Sequence, residues 1–388
     1  MAAIQPQPPL GAPVAGLSLA EALEMRAKAG KPVRVGLIGA GQMGTDIVVQ
    51  ISQMTGIEIA AVADIAPDRV SEAAALAGRK GEVDNVSDEA GLDGARRKGR
   101  IAATTSLDLI CGSPHVDVII DATGNPEAGS RVALTAIAAR KHIVMMNVEA
   151  DITIGSYLAV EAAKAGVVYT LGAGDEPAAA MELINFVRAM GYPVVAAGKG
   201  KNNPFRIDAV PADYVEEATR RNMNPRMLVE FVDGSKTMVE MVAIANACGF
   251  VPDIPGMHGP AAPKDELQNY FCPKEEGGLL SQKGVVDFSV AKGVAPGVFA
   301  VAEMRHPRVR ERMSALHLGP GPYYSFFRPY HLTSLEVPLS AAAATIFNQS
   351  HMRPLPVPTS EVGCVAKRDL AAGETLDAIG EYGYRGFA

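Results

Sequence analysis

VRVGLIGAGQMGTDIVVQISQMTG, Val33 to Gly56, is the stretch on which the fold turns. Val33 to Ile38 is a short apolar run of strand type. It ends in Gly39-Ala40-Gly41-Gln42-Met43-Gly44, after which Thr45 to Gly56 spaces its apolar residues as a helix does. The first glycine permits a tight turn, the second lets backbone approach a pyrophosphate, and the third lets the helix pack closely on the strand. Free N–H groups and a partial positive charge at the helix N-terminus complete an anion seat. A G-x-G-x-x-G alone is weak, but this one stands between a strand and a helix. Asp64 also closes the next strand, Ile57 to Ala63, 20 residues after Gly44. The pattern predicts nicotinamide dinucleotide binding by Gly39, Gly41, Gln42, Met43 and Gly44. A carboxylate at Asp64 accepts from ribose hydroxyls and repels a 2′-phosphate, which favours NAD(H), while Arg69, five residues on, leaves NADP(H) open.

Working outward, VDVIIDATG (116–124) and HIVMMNVEAD (142–151) are further apolar strands, separated by the helical spacing of VALTAIAARK. Thr123 and Gly124 end the first of them, on the edge where the dinucleotide lies. Near-continuous apolar strands alternating with helices mean a parallel sheet covered on both faces. Upstream, Ser18 with Glu21 three residues later makes a capping box for a helix stopping near Gly30, and MAAIQPQPPLGAPVAG reads as a flexible arm. The expected fold class is α/β. An arm and helix (1–30) lead into a Rossmann dinucleotide-binding domain (31–151), followed by a central α/β substrate and oligomerisation domain (152–357) and a partial β-rich segment (358–388). GVVYTLGAG and the helix around AAAMELINFVRAMG are placed in the second of these domains.

Composition narrows the function classes. With 388 residues, 48% hydrophobic and 20% charged, the chain has enough apolar surface for two or three domain cores. A net charge of -7 gives no basic face for nucleic acid. No run reaches the roughly 18 to 20 apolar residues of a membrane span, and the opening lacks the basic-then-apolar layout of an export signal. Cys111, Cys248, Cys272 and Cys364 are far apart and without metal-ligand rhythm, which fits reduced thiols in a cytoplasm. A homo-oligomer is expected from the apolar content and the α/β architecture.

The chemistry is expected beyond Asp151. AAGKGKNNP (196–204) gathers Lys199, Lys201, Asn202 and Asn203 behind an apolar run, and glycines flank both lysines. Two lysines on a glycine-rich loop repel unless an anion offsets them, so the loop reads as a seat for phosphate, carboxylate or a polarised carbonyl. Glu149 in NVEAD and the pair Asp175 and Glu176 in GAGDEP follow strands and offer a base or seats for a divalent cation. Arg328, Tyr330 and His331 in FFRPYH form a second cluster of donors, read as the other half of an anion clamp. His258 in GMHGP reads as structural.

GLIGAGQMGTDIV, DVIIDATGNPEAG, VMMNVEADITIGSYL, YTLGAGDEP, GKGKNNP, VEFVDGSKTMVEM and FFRPYHLTSLEVPL together resemble the DXR-like proteins. This group is related to homoserine dehydrogenase and includes the type II 1-deoxy-D-xylulose 5-phosphate reductoisomerases. The resemblance runs from about Lys31 to the end, and AKRDLAAGETL resembles the opening of a SAF domain. It implies a reductoisomerase that takes 1-deoxy-D-xylulose 5-phosphate to 2-C-methyl-D-erythritol 4-phosphate with NADPH, in isoprenoid biosynthesis. In that chemistry Lys199 and Lys201 polarise or clamp oxygens, Asn202 and Asn203 orient hydroxyls, and Glu149 or the Asp175/Glu176 pair serves as base or cation ligand. Arg328 and His331 grip the phosphate. The family's reductoisomerases have a basic stretch where this chain has Asp64-Ile65-Ala66-Pro67. Run oxidatively with NAD, the same machinery oxidises and rearranges a branched sugar acid, whose carboxylate takes the phosphate's place. A cofactor-binding sensor without turnover is the third alternative.

Overall fold

The computed structural model describes residues 16–221 and 223–388; the proline-rich arm, Gly16 apart, lies outside them. Ser18 caps the first helix, Leu19–Lys28: its hydroxyl accepts from the Glu21 N–H while Glu21 reaches back to the Ser18 N–H at 2.7 Å. The strands are β1 (Val33–Ile38), β2 (Ile57–Ala63), β3 (Val83–Asn85), β4 (Ile101–Thr104), β5 (Val118–Asp121), β6 (His142–Met145) and β7 (Tyr169–Leu171), then β8 (Val194–Gly200), β9 (Val251–Pro252), β10 (Val285–Ser289), β11 (Val298–Glu303), β12 (Tyr323–Arg328), β13 (Gly363–Ala366) and β14 (Tyr384–Phe387).

The first seven form one parallel sheet in the order β3-β4-β2-β1-β5-β6-β7. Chain order reverses between β1 and β5, and the crevice outside the carboxyl ends of these two strands is where such sheets bind ligands. The sequence assigned the strand in GVVYTLGAG to the second domain. Its residues Tyr169–Leu171 instead pair in parallel with β6, because the helix Val148–Ala165 is a crossover that returns the chain to the same sheet.

The second sheet has the order β12-β11-β8-β10-β9, with β8 central, parallel to β10 and antiparallel to β11. Helices Glu176–Ala189 and Ser235–Cys248 cover one face. Phe271 and Leu280 lie against the other, with Phe271 stacked on Phe299 at 4.9 Å. Lys199 is therefore a strand residue and not, as the sequence suggested, a loop residue. The glycines beside it serve strand packing as much as a ligand: a Cβ on Gly198 would stand 1.7 Å from the Asp287 carbonyl oxygen, and one on Gly200 2.2 Å from the Ala295 nitrogen.

Two long-range returns complete the two halves, one on each. Helix Val337–Phe347 packs Val337, Ala341 and Ala342 into the core of the first sheet, and the Leu171 N–H donates to the Met352 carbonyl at 2.8 Å. β13 and β14 make a two-stranded antiparallel ribbon bonded to the second domain, the Gly386 N–H donating to Ser235 Oγ at 2.8 Å. Among the described residues no helix is long and apolar enough to cross a membrane.

Candidate active site

The fingerprint loop has the backbone it needs. Gly39 sits at φ 100°, and a Cβ there would meet the Ala122 carbonyl oxygen at 2.7 Å. A Cβ on Gly44 would lie 2.0 Å from the Gly39 oxygen, so the turn closes only with glycine, while Gly41 faces open space at the head of helix Gln42–Ser52. Thr123 and Gly124 follow β5 on the opposite lip of the crevice. The Thr123 N–H donates to Asp121 Oδ1 at 3.1 Å, and Gly124 adopts φ 67°.

Asp64 is buried at the end of β2 and already accepts two backbone N–H groups, from Ala40 at 2.7 Å and Ala66 at 2.8 Å. It holds the fingerprint loop, and each carboxylate oxygen keeps a second lone pair for a ribose hydroxyl. The Arg69 guanidinium lies 3.9 Å away on an exposed side chain, and Ile65 is 93% exposed. Asp64→Ser combined with Ile65→Arg is expected to move binding toward NADP(H) by about tenfold or more, roughly 1.4 kcal/mol, in fluorescence titrations of NADH and NADPH. Wild-type protein preferring NADPH by that margin would contradict this role for Asp64.

The second domain places a cavity of about 210 Å³ at the carboxyl end of β8, lined among others by Glu176, Lys199, Lys201, Asn202, Asn203 and His331. Lys199 Nζ donates to Glu176 Oε1 at 2.7 Å and to Glu240 Oε2, with its side chain almost wholly buried. Burial alone would lower the Lys199 pKa, but the two carboxylates outweigh it and raise the value. Burial likewise opposes ionisation of Glu176, yet the Lys199 ammonium and His331 hold its carboxyl well below the usual range. His331 presents Nε2 to Glu176 Oε1 at 3.4 Å, and its Nδ1 lies 3.1 Å from the Gly174 carbonyl oxygen, which can only accept. The Glu176 carboxylate likewise only accepts, so each ring nitrogen faces an acceptor: Gly174 takes the Nδ1 proton, and Glu176 stands ready for the charge of a proton gained at Nε2.

Lys201 behaves differently from its neighbour. Burial and the nearby Lys199 charge push its pKa down to about 8, and its ammonium donates to the Asn203 and Phe231 carbonyls over the Phe205 ring. Behind the cavity the polar chain continues inward. Burial and Glu176 raise Glu240 to about 7, and Asp175 is raised well above its ordinary value by the same two causes. Lys236 donates to Glu149 at 2.9 Å, which keeps Glu149 ionised against burial, and Glu230 beside it is raised to about 7 by burial and the Glu149 charge. Carboxylates outnumber ammonium groups along this chain, and the raised acids relieve the excess by holding protons.

The geometry gathers Lys199, Lys201, Asn202, Asn203, Glu176 and His331 on one cavity, with Asp175 at its back. Glu149 stands one ion pair removed, through Lys236. Arg328 and Tyr330 are not among the lining residues: the Arg328 guanidinium is spent on Glu182 at 3.0 Å and Glu336 at 2.7 and 2.8 Å and stacks over Tyr330 at 4.9 Å. The anion clamp read from FFRPYH therefore reduces to His331, because the fold supplies Arg328 with carboxylates from Glu176–Ala189 and from Glu336. His258 pairs with Asp253 at 2.8 Å, as a structural histidine does. Sequence reasoning passed over Glu240, Lys236, Thr237 and Arg221. The first two were within reach, since SKTMVEM sets Lys236 and Glu240 four residues apart on one helix face. Asp175, Glu176 and Glu240 also bring carboxylate oxygens within 4.8 Å of one another, a donor set that suits a hard divalent cation. Lys199 already holds two of the three, so an ion there must displace its ammonium.

Comparison with known proteins agrees with this division of labour. The family model described as the NAD-binding domain of homoserine dehydrogenase matches residues 39–171, and that described as the catalytic domain of the oxidoreductase DRL matches residues 174–337. No curated protein matches the chain. Solved structures with similarity include an NAD-binding oxidoreductase from Klebsiella pneumoniae, at 20% identity over 46% of this chain and 44% of that one, TM-score 0.33. Scyllo-inositol dehydrogenase from Lactobacillus casei, solved with NAD(H) and scyllo-inositol, gives 15% identity over 70% and 74%, TM-score 0.38. The 1-deoxy-D-xylulose 5-phosphate reductoisomerase from Zymomonas mobilis, in complex with NADPH, gives 16% over 55% and 57%, TM-score 0.40. Likenesses of this size carry no argument about substrate. The fingerprint, the sheet and the two family matches make the chain an oxidoreductase that uses a nicotinamide dinucleotide.

Proposed function

We propose that the protein uses NAD+ to oxidise a CH–OH group of a small polyhydroxylated monocarboxylate, a sugar acid. The observation that supports this over a phosphorylated ketose is the charge inventory of the cavity. Lys199 is balanced by Glu176 and Glu240, Arg221 by Glu217 at 3.2 Å, and Arg328 lies elsewhere on its own glutamates. Among the described lining residues that leaves Lys201 as the cation without a carboxylate partner. One ammonium matches one carboxylate, whereas a phosphate dianion asks for more positive charge than the cavity offers.

The bound dinucleotide supplies the hydride acceptor. Lys201 takes the substrate carboxylate, and Asn202, Asn203 and Thr237 orient hydroxyls. Lys199 has three N–H donors, two of them on Glu176 and Glu240, and the third remains for the reacting oxygen. His331 Nε2 takes the hydroxyl proton as negative charge grows on that oxygen, and Glu176 stabilises the imidazolium that results. The match of residues 174–337 to the catalytic domain of an oxidoreductase supports turnover at this site.

Absorbance at the NADH band, with a panel of sugar acids and NAD+ and a parallel panel of phosphorylated ketoses and NADPH, tests the proposal. Turnover confined to 1-deoxy-D-xylulose 5-phosphate with NADPH would overturn it. The Lys201 pKa gives a second expectation, with a definite sign. Anion binding needs the ammonium, so kcat/KM should fall as pH rises through about 8. Lys201→Arg should remove that alkaline limb, because a guanidinium keeps its proton throughout.

A further inference from the structure

Residues 331–336 touch both ligand sites. Ser334, buried, sets its hydroxyl 3.3 Å from Asp46 Oδ2 and 3.4 Å from Met43 Sδ, on the helix that begins in the fingerprint. Three residues earlier His331 faces Glu176. The carbonyl of Gly174, one residue before Asp175, receives the Thr333 N–H at 2.9 Å and lies 3.1 Å from His331 Nδ1. The segment is tightly held between these ends. Gly174 takes φ 85°, and a Cβ there would stand 2.7 Å from the Thr333 oxygen and 2.6 Å from Glu336 Cβ, while Glu336 accepts the Leu332 N–H at 2.9 Å. Thr333, a β-branched residue, is held at φ 46°, a conformation that persists only where surrounding contacts enforce it.

We infer that Ser334 and Thr333 are positioning residues that transmit occupancy of the dinucleotide crevice to the His331 imidazole, so that the base is correctly placed only when the cofactor is bound. A ligand on the Met43 end of the helix shifts the contacts of Ser334, and the tight turn through Thr333 leaves His331 little freedom to stay behind. The inference rests on the proposed place of His331 at the substrate cavity and gives the reaction an order, dinucleotide before substrate.

The test needs no substrate. The seven histidines give few enough imidazole C–H signals to follow by NMR, and His331→Gln identifies the signal of interest. Saturating NADH is expected to move the His331 signal in the full-length protein. In Ser334→Ala the movement should shrink by about threefold or more, while NADH affinity changes by less than about threefold. Thr333→Gly, which adopts positive φ without strain and so secures a folded variant, should shrink it as well. A wild-type His331 signal indifferent to NADH, or the full movement in both variants, overturns the inference. A moving signal without turnover of any sugar acid would retire the proposed reaction and leave the coupling standing; turnover with an indifferent His331 would do the reverse.

Discussion

Replacing Lys199 by methionine is expected to cut kcat/KM at least about a hundredfold and to destabilise the fold by about 3 to 5 kcal/mol, with dinucleotide affinity nearly unchanged. Both effects come from the same burial. Without the ammonium, Glu176 and the buried Glu240 face each other at the cavity wall with no cation between them, and one must take up a proton or the helices that carry them must part. The reacting oxygen also loses its charged donor. Pairing the change with Glu240→Gln separates the two effects: it removes one of the repelling charges and should restore much of the lost stability, as followed by urea denaturation. It should not restore turnover. A double variant as active as wild type would mean that Lys199 serves only to hold the helices. NADH fluorescence titration supplies the control, because the fingerprint lies in the other sheet.

The second large effect concerns pH and lies in the first domain. Asp151, in the opening turn of helix Val148–Ala165, is buried. Its Oδ1 accepts the Tyr169 hydroxyl at 2.7 Å, its Oδ2 has no hydrogen-bond partner among the described residues, and burial raises its pKa from 3.8 to about 7. A folded-state value above the unfolded one means that the native state binds the proton more tightly. Stability from this group is therefore whole below about pH 4 and is lost as pH climbs toward 7. Between pH 5 and pH 8 roughly two units of this window remain, worth on the order of 3 kcal/mol. Asp151→Asn keeps the acceptor for Tyr169 and cannot ionise. The wild-type-minus-variant difference in unfolding free energy should therefore change by about that amount across the interval. Any cost of placing an amide at the unpartnered position is the same at both pH values and cancels. A difference independent of pH would show that Asp151 does not ionise in this range.

Much of the architecture was legible because it is written locally. A strand, three glycines, a helix and Asp64 lie within about thirty consecutive residues, and Gly39 and Gly44 are each required by a close backbone approach that the fold displays, while Gly41 faces open space. The capping box at Ser18 is equally local. The site was legible in pieces: Lys199, Lys201, Glu176 and His331 were visible as chemistry, since turn and strand-end positions advertise them. Their partners were not. Whether Arg328 is free to hold an anion depends on Glu182 and Glu336, 146 and 8 residues away in sequence, and nothing near FFRPYH announces the first of these. The same holds for β7, whose apolar run suits either sheet until the crossover helix decides.

The return of helix Val337–Phe347 to the first sheet has a consequence for how such a chain can be taken apart. The dinucleotide-binding half borrows Val337, Ala341 and Ala342 from a segment that begins well over a hundred residues after β7, with Met352 bonded to Leu171 alongside. An excised fragment ending at the last parallel strand would bare that apolar seam to water. The two halves should therefore melt as one calorimetric event. A gene exchange bringing in a foreign cofactor module would succeed only by crossing over twice, once on each side of the substrate half, so the Rossmann portion is not a transferable cassette.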